Sequence, residues 1–313
     1  MYDSVGMFLG RENCRGAHLL KHPSQFLSRV TQGTNDRNES FAWGHLENLK
    51  VEVKEDSVRI SQGSLSKYFL SDSFRALTIK ETKEAIEKIS DTLHLPFRLA
   101  SVRRIDLAQN LKMNYSESIY YHYLGQSKHY ERLEQKNGLY YNTQKRQLVF
   151  YGKIHEQKKN RQIIPEQFES ENLLRFELRF KNRLLQQFNL HCISAEFLYD
   201  KDFFHSLISR WEEEYFAIKK LKPKSINMKP TGSRKKLIEN LAFLSISEIG
   251  QPTVLRQVRE WQAKKLITRK QAFHLRATIK GISQIKMNEG ENDLINELDS
   301  KVKAAANEAR YLC

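Results

Sequence analysis

Residues 173–190 read LLRFELRFKNRLLQQFNL, and the first half of that stretch decides the fold. Side chains alternate across a strand. Leu174, Phe176, Leu178 and Phe180 therefore line one face, while Arg175, Glu177 and Arg179 line the other. An acid between two arginines is compatible with a solvated face of cross-paired charges. It is equally compatible with a working site. The run KNRLLQQFNL turns helical after the strand.

Two further segments share this two-faced character. VRRIDLAQNL (102–111) sets Arg104, Asp106 and Ala108 opposite Ile105 and Leu107. Aspartate is disfavoured inside strands, so Asp106 needs a partner. A metal ion serves, and so do arginines, Arg103 and Arg104 being nearest in sequence. RQLVFYGKIHEQ (146–157) reads as a strand with Val149, Tyr151, Lys153 and His155 on one face. Leu148, Phe150, Gly152 and Ile154 take the other. Tyr151 and Lys153 also fit a plain surface aromatic and a solubilising charge. GLYYNT (138–143) is the preceding strand, joined through the polar turn NTQKR.

Around these lies a mixed pattern. NLKVEVKEDSVRISQGS (48–64) alternates about a polar turn and reads as a hairpin. LTIKETKEAIEKISDTL (77–93) reads as a helix with a Thr78/Glu81 capping box and an apolar face of Ala85, Ile86, Ile89 and Leu93, closed by Pro96. YSESIYYHYLGQ (115–126) reads as another, with Ser116 or Asn114 near its cap. The expected fold class is α+β. Residues 1–218 form an antiparallel or mixed sheet with flanking helices, in sheet-forming halves 1–100 and 101–218. A basic linker, 219–236, leads to a basic all-helical domain, 237–313, ending in a polar, frayed helix from about residue 288.

Composition narrows the partners. The chain has 313 residues, with 52 Lys+Arg against 37 Asp+Glu, a formal charge of +15. Hydrophobic content of 40% and aromatic content of 11% suffice for a core. No apolar run approaches membrane-spanning length, and MYDSVGMFLGREN lacks the pattern of a signal peptide. Cys14, Cys192 and Cys313 are odd in number and far apart, which argues against disulfide and zinc scaffolds and for a reducing, cytoplasmic location. A pI near 9.6 points to a polyanion, nucleic acid ahead of an anionic membrane, with a merely soluble basic protein as the plain alternative.

Further cations lie downstream. The linker carries Lys219, Lys220, Lys222, Lys224, Lys229, Arg234, Lys235 and Lys236, a run that neutralises phosphates or serves as a solvated tether. Arg256, Arg259, Lys264, Lys265, Arg269, Lys270, Arg276 and Lys280 stud the next two helices. A break near Thr268 suits a helix-turn-helix reader or a basic three-helix packing domain, with Trp261 in its core.

With the three strands adjacent, two carboxylates, a phenol, an ammonium and an imidazole converge. Hard cations such as Mg²⁺ or Mn²⁺ favour carboxylate oxygens and polarise phosphates. A phenol is a poor nucleophile at its free pKa near 10 unless a cation activates it. The outline is a metal-dependent phosphodiester transesterase.

At RRIDLAQN, FYGKIHE and LRFELRFK the chain resembles the filamentous-phage replication-initiation endonucleases, the gene II/gene X group, and more loosely the rolling-circle plasmid initiators. The resemblance spans about residues 45–195. It implies origin-specific nicking of one DNA strand through a 5′-phosphotyrosine, with later rejoining, the double-stranded origin and the displaced single strand as DNA partners, and host replication proteins as further ones. It implies Tyr151 as nucleophile and Lys153 as its phosphate or pKa partner. Asp106 and Glu177 would be metal ligands, with His155 or Glu156 completing the shell. Arg104, Arg175, Arg179, Lys235, Lys236, Arg256 and Arg259 are the expected DNA contacts. The His-x-His pair of many rolling-circle enzymes is missing, which favours a carboxylate-rich site. Tyr140 or Tyr141 is a candidate second tyrosine. A non-catalytic origin binder or repressor and an RNA-binding protein are the rival readings.

Overall fold

The computed structural model describes residues 1–14, 19–21, 23–221, 233–283 and 293–311. β1 (Tyr2–Leu9) is followed by a meander of β2 (Ser28–Thr34), β3 (Ser40–Leu46), β4 (Leu49–Lys54) and β5 (Val58–Gln62). Helices α1 (Leu65–Leu70) and α2 (Ile79–Leu93) come next. The second half lays down β6 (Ser101–Met113), α3 (Glu117–Tyr121) and β7 (Leu124–Ser127). It then runs through β8 (Glu131–Gln135), β9 (Gly138–Asn142), β10 (Arg146–Gly152), α4 (Lys153–Lys159) and β11 (Asn172–Phe180). α5 (Leu184–Phe188), α6 (Lys201–Phe216) and β12 (Ile218–Lys220) follow, then α7 (Arg234–Ile249), α8 (Gln251–Ala263), α9 (Arg269–Ser283) and α10 (Asp293–Tyr311).

Ten strands form one sheet in the order β2-β3-β4-β5-β1-β6-β11-β10-β9-β8, and β12 pairs with β7 apart from it. All pairings are antiparallel, so the sheet is antiparallel rather than mixed. Each half repeats one plan: a first strand, then a four-strand meander whose last strand returns to pair with the first. β5 returns to β1, β11 returns to β6, and β1 joins β6 at the seam. No fixed sequence period accompanies this repetition, because strand order depends on connections rather than on residue identity.

One face of the sheet packs the core. Val5, Met7, Ile60, Ile105, Phe150, Leu174, Phe176 and Leu178 point into a cluster with α2 and α6, including Ile86, Ile89, Phe204 and Trp211. α2 starts on the expected capping box and buries the expected face; His94 in the left-handed region ends it, two residues before Pro96. The 115–126 segment is helical only over α3, and β7 takes its end.

The chain divides into two compact units, Met1–Lys220 together with the last helix, and Leu221–Asp293. α10 is therefore no frayed tail. Ile295, Leu298, Val302 and Ala306 make a buried stripe at helical spacing. Glu297 accepts from the Tyr120 hydroxyl, and Asp299 from the Tyr215 hydroxyl. The linker expectation also changes at its start. Lys220 is held, its Nζ donating to the Tyr215 carbonyl over that residue's ring, and burial lowers its pKa to about 8. Lys222, Lys224, Lys229 and Cys313 lie outside the described residues.

The second unit is described by itself. α7, α8 and α9 enclose a small core of Ile246, Val258, Ala272 and Ile279. Thr268 and Gln271 cap α9 reciprocally. Lys235, Lys236, Arg256 and Arg259 are exposed. Trp261, expected in the core, is 40% exposed, since the four-residue cluster is too small to enclose it.

Candidate active site

The other face of the sheet carries the expected polar groups. Residues opposite one another in an antiparallel pair share a face. Tyr151 lies opposite Arg175, Glu177 opposite Ala108, and Arg179 opposite Asp106. The centre of this face is buried rather than solvated: Asp106, Arg175 and Glu177 are each under 5% exposed, with Arg104 and Arg179 half-buried beside them. β6 and β11 are interior strands, and the Ser73–Phe74 segment lies over one end of them. Asn110 donates to both of its carbonyls, and Phe74 stacks on Phe168 at 4.9 Å.

The Tyr151 hydroxyl donates to Glu177 Oε1 at 2.6 Å. Arg175 Nε donates to the same oxygen at 2.8 Å. Arg179 donates to Oε2 through Nε and Nη2, at 2.8 and 2.5 Å. Arg175 also reaches Asp3 at 2.9 Å and Asn110 at 3.0 Å, while Arg179 reaches Gln147 at 3.1 Å. Asp106 is bound by Arg104, Nε to Oδ1 at 2.9 Å and Nη2 to Oδ2 at 2.6 Å. Acids and guanidiniums alternate across the face, as buried charge requires.

β10 ends at Gly152, and Lys153 begins α4. The expected strand face of Tyr151, Lys153 and His155 therefore breaks. The run KIHEQKK is rich in helix formers, and Gly152 takes the cap position. Lys153 remains buried and donates to Glu156 at 3.0 Å. This helix start turns Glu156 toward Lys153, whereas His155 is exposed. Tyr140 shares the Tyr151 face through its pairing with Val149. Tyr141 points into the core and donates to the Leu124 and Gly125 carbonyls. Asp3, Asn110 and Gln147 were missed by sequence reasoning. Asn110 lay open to it, two residues along the face from Ala108, but nothing in MYDSV marks Asp3.

Burial sets the electrostatics. It pushes Asp106 up to about 6, against the pull of Arg104. Burial would raise Glu177 too, but Arg175 and Arg179 bring it down to about 2. Tyr151 is held well above the usual phenol range by burial, with the Glu177 charge adding to it. Burial and then Arg175 lower Lys153, while Glu156 opposes them.

The donor set answers the metal expectation. Both oxygens of Glu177 and both of Asp106 are already engaged by guanidinium or phenol donors. Among the described residues no three His, Cys, Asp or Glu side chains gather to hold a metal ion. As arranged, Asp106 and Glu177 do not fit Mg²⁺ or Mn²⁺, because three guanidiniums occupy the places a dication needs, while Glu156 is held by Lys153, Gln157 and Asn160 and His155 is exposed.

Guanidiniums of this kind pair in two-point fashion with carboxylates, as here, and with phosphates. A family model described as the N-terminal part of the replication-associated gene II protein matches residues 1–198, and the chain belongs to that family, the gene II-type replication initiators of filamentous phages. The match takes in the whole ten-stranded sheet and stops before α6. Membership supports a replication-initiator role. No curated protein matches the chain. No helix among the described residues is long and apolar enough to cross a membrane.

Proposed function

We propose that the chain initiates rolling-circle replication by nicking one DNA strand at an origin and later rejoining it, with Tyr151 as nucleophile. The observation that carries this reading is the Tyr151 hydroxyl set 2.6 Å from a glutamate clamped by two arginines. The phenol oxygen bonds to phosphorus and the bond from phosphorus to the 3′ oxygen breaks. The phenol proton passes to Glu177, and the 3′ oxygen leaves as a hydroxyl after taking a proton from solvent. Arg104 and Arg179, half-buried at the end away from Ser73, neutralise the charge that develops on the phosphoryl oxygens. Arg175 is enclosed and positions Glu177 instead of meeting DNA. The phosphodiester energy is kept in the tyrosyl ester, so rejoining is the reverse step. Lys235, Lys236, Arg256 and Arg259 supply phosphate contacts on the second unit.

The test is incubation of the full chain with supercoiled plasmid carrying its origin, with and without Mg²⁺ or Mn²⁺. Nicked circles and a denaturant-resistant protein–DNA species are expected. Their absence under all three conditions overturns the reading. A second reading, an origin binder without catalysis, draws on the raised Tyr151 pKa and the already paired acids. It stands if the wild type binds the origin and never cuts it.

A further inference from the structure

The face that carries Tyr151 continues across the seam. Arg104 faces Gly6 on β1, and Phe8 faces Arg59 on β5. Arg59 faces Glu52 on β4, Glu52 faces Trp43 on β3, and Lys54 faces Phe41. Phe8, Trp43 and Phe41 are thus on the same outer face as the candidate site. Each is half-buried, while their strand neighbours Met7, Leu9 and Ala42 are enclosed. Gly33, beside Phe41, makes room for the ring: a Cβ there would come within 2.9 Å of Phe41 Cζ.

Cations sit among these rings. Lys50 Nζ lies 4.9 Å from the Trp43 ring centre, and the Arg103 guanidinium 5.6 Å from that of Phe8. A groove of 1640 Å³ runs over this half-face from Lys54 and Arg59 to Arg104 and Lys181. Its lining holds seven basic residues against four acidic ones. Of those acids, Glu52 lies 4.0 Å from Lys54 and is offset by it. A recess of 250 Å³ beside Trp43 and Phe41 shares Glu52 and Lys54 with the groove and extends it to β3.

We propose that this half-face is a stacking platform for single-stranded DNA, with Trp43, Phe41 and Phe8 taking bases and Lys50, Lys54 and Arg59 taking phosphates. Accessible rings interleaved with cations match unpaired bases on a charged backbone, and stacking is indifferent to sequence. A duplex keeps its base faces against one another and offers only phosphates and groove edges. β3 and β10 are six strand spacings apart, about 29 Å, so a strand laid along the groove would arrive at Arg104 and the Tyr151 face. That last placement rests on the nicking proposal; the binding does not.

The experiment is fluorescence anisotropy of a labelled oligothymidylate of about 15 nucleotides with the full chain, at fixed salt and without divalent metal. Trp43→Leu and Phe8→Leu are each expected to weaken binding about 5- to 100-fold, and Trp43→Phe by about twofold at most. Lys54→Ala and Arg59→Ala are each expected to flatten the slope of log affinity against log salt by about 0.7. Should Trp43→Leu disturb folding, quenching of wild-type tryptophan emission by the oligonucleotide, diminished in Trp43→Phe, gives a second reading. Unchanged affinity in a folded Trp43→Leu variant overturns the proposal. So does equal competition by duplex, or a preference for RNA. Strand binding without nicking removes only the proposed function, and nicking without dependence on Trp43 removes only the platform.

Discussion

The Tyr151 hydroxyl on β10 donates to Glu177 on β11 at 2.6 Å, although the two are not register partners. Tyr151 lies opposite Arg175, and Glu177 lies opposite Val149. The phenol reaches diagonally, a span open to long side chains on paired strands. Glu177 therefore gathers Tyr151, Arg175 and Arg179 at one carboxylate.

Tyr151→Phe is expected to abolish the covalent protein–DNA species while origin binding stays within about threefold. Denaturing gels and a binding titration on the same preparation check this. Tyr140→Phe, which alters a residue on the same face but a strand further out, leaves nicking intact.

Glu177→Ala leaves two guanidiniums without their shared acid. Arg175 is 4% exposed, so its charge stays buried. A loss of about 3–5 kcal/mol is expected in urea unfolding. Lys235→Ala, on the exposed first turn of α7, stays within about 0.5 kcal/mol.

The two acids shift oppositely with pH. Asp106 goes from an ordinary 3.8 up to about 6, so the folded state binds a proton that the unfolded state releases. Its contribution is full below pH 3.8 and is lost as pH rises through about 6, amounting to about 3 kcal/mol at most. Glu177 goes from 4.5 down to about 2, so its contribution is full above pH 4.5 and is lost as pH falls through about 2. Melting temperatures of wild type against Asp106→Asn should converge or cross as pH rises from 4 to 6. Against Glu177→Gln, the wild-type advantage should shrink as pH falls below 4.5.

Metal affinity follows from the arginines. Mn²⁺ titrated into the DNA-free protein, read by electron paramagnetic resonance, is expected to bind no tighter than about millimolar. Arg104→Ala frees both Asp106 oxygens and should tighten it. Tight binding by the wild type would show that Arg104 leaves Asp106 readily.

α10 is a structural part of the first unit. Leu298 is fully buried, and Leu298→Ala is expected to cost about 2–5 kcal/mol, visible in thermal melting. A frayed tail would give no change.

Strand segments of two-faced character, the α2 capping box and the helical run from residue 237 were legible in the sequence; that α7 begins at Arg234, inside the expected linker, was not. These rest on contacts a few residues apart, which local periodicity reports. LLRFELRF announced an apolar face and a charged one, and both are present. The length of β10 was misread because a glycine followed by helix formers reads either way until Lys153 finds Glu156. α10 was misread because its stripe of Ile295, Leu298, Val302 and Ala306 is narrow and only α6 and α3 show what covers it.

By itself the sequence determined six strands, β4, β5, β6, β9, β10 and β11, the charged faces of β6 and β11, and that the chain is strongly basic. Tertiary structure alone decided that β11 lies between β6 and β10, so that Glu177 meets Tyr151, and that Asp3 from the chain's start completes Arg175. It also decided that Asp106, Arg175 and Glu177 on the charged face are buried. The physical reason is that pairing across a sheet is set by chain connections and burial, which act between residues 26 positions apart for Tyr151 and Glu177 and more than a hundred for Asp3 and Arg175, and leave no trace in local spacing.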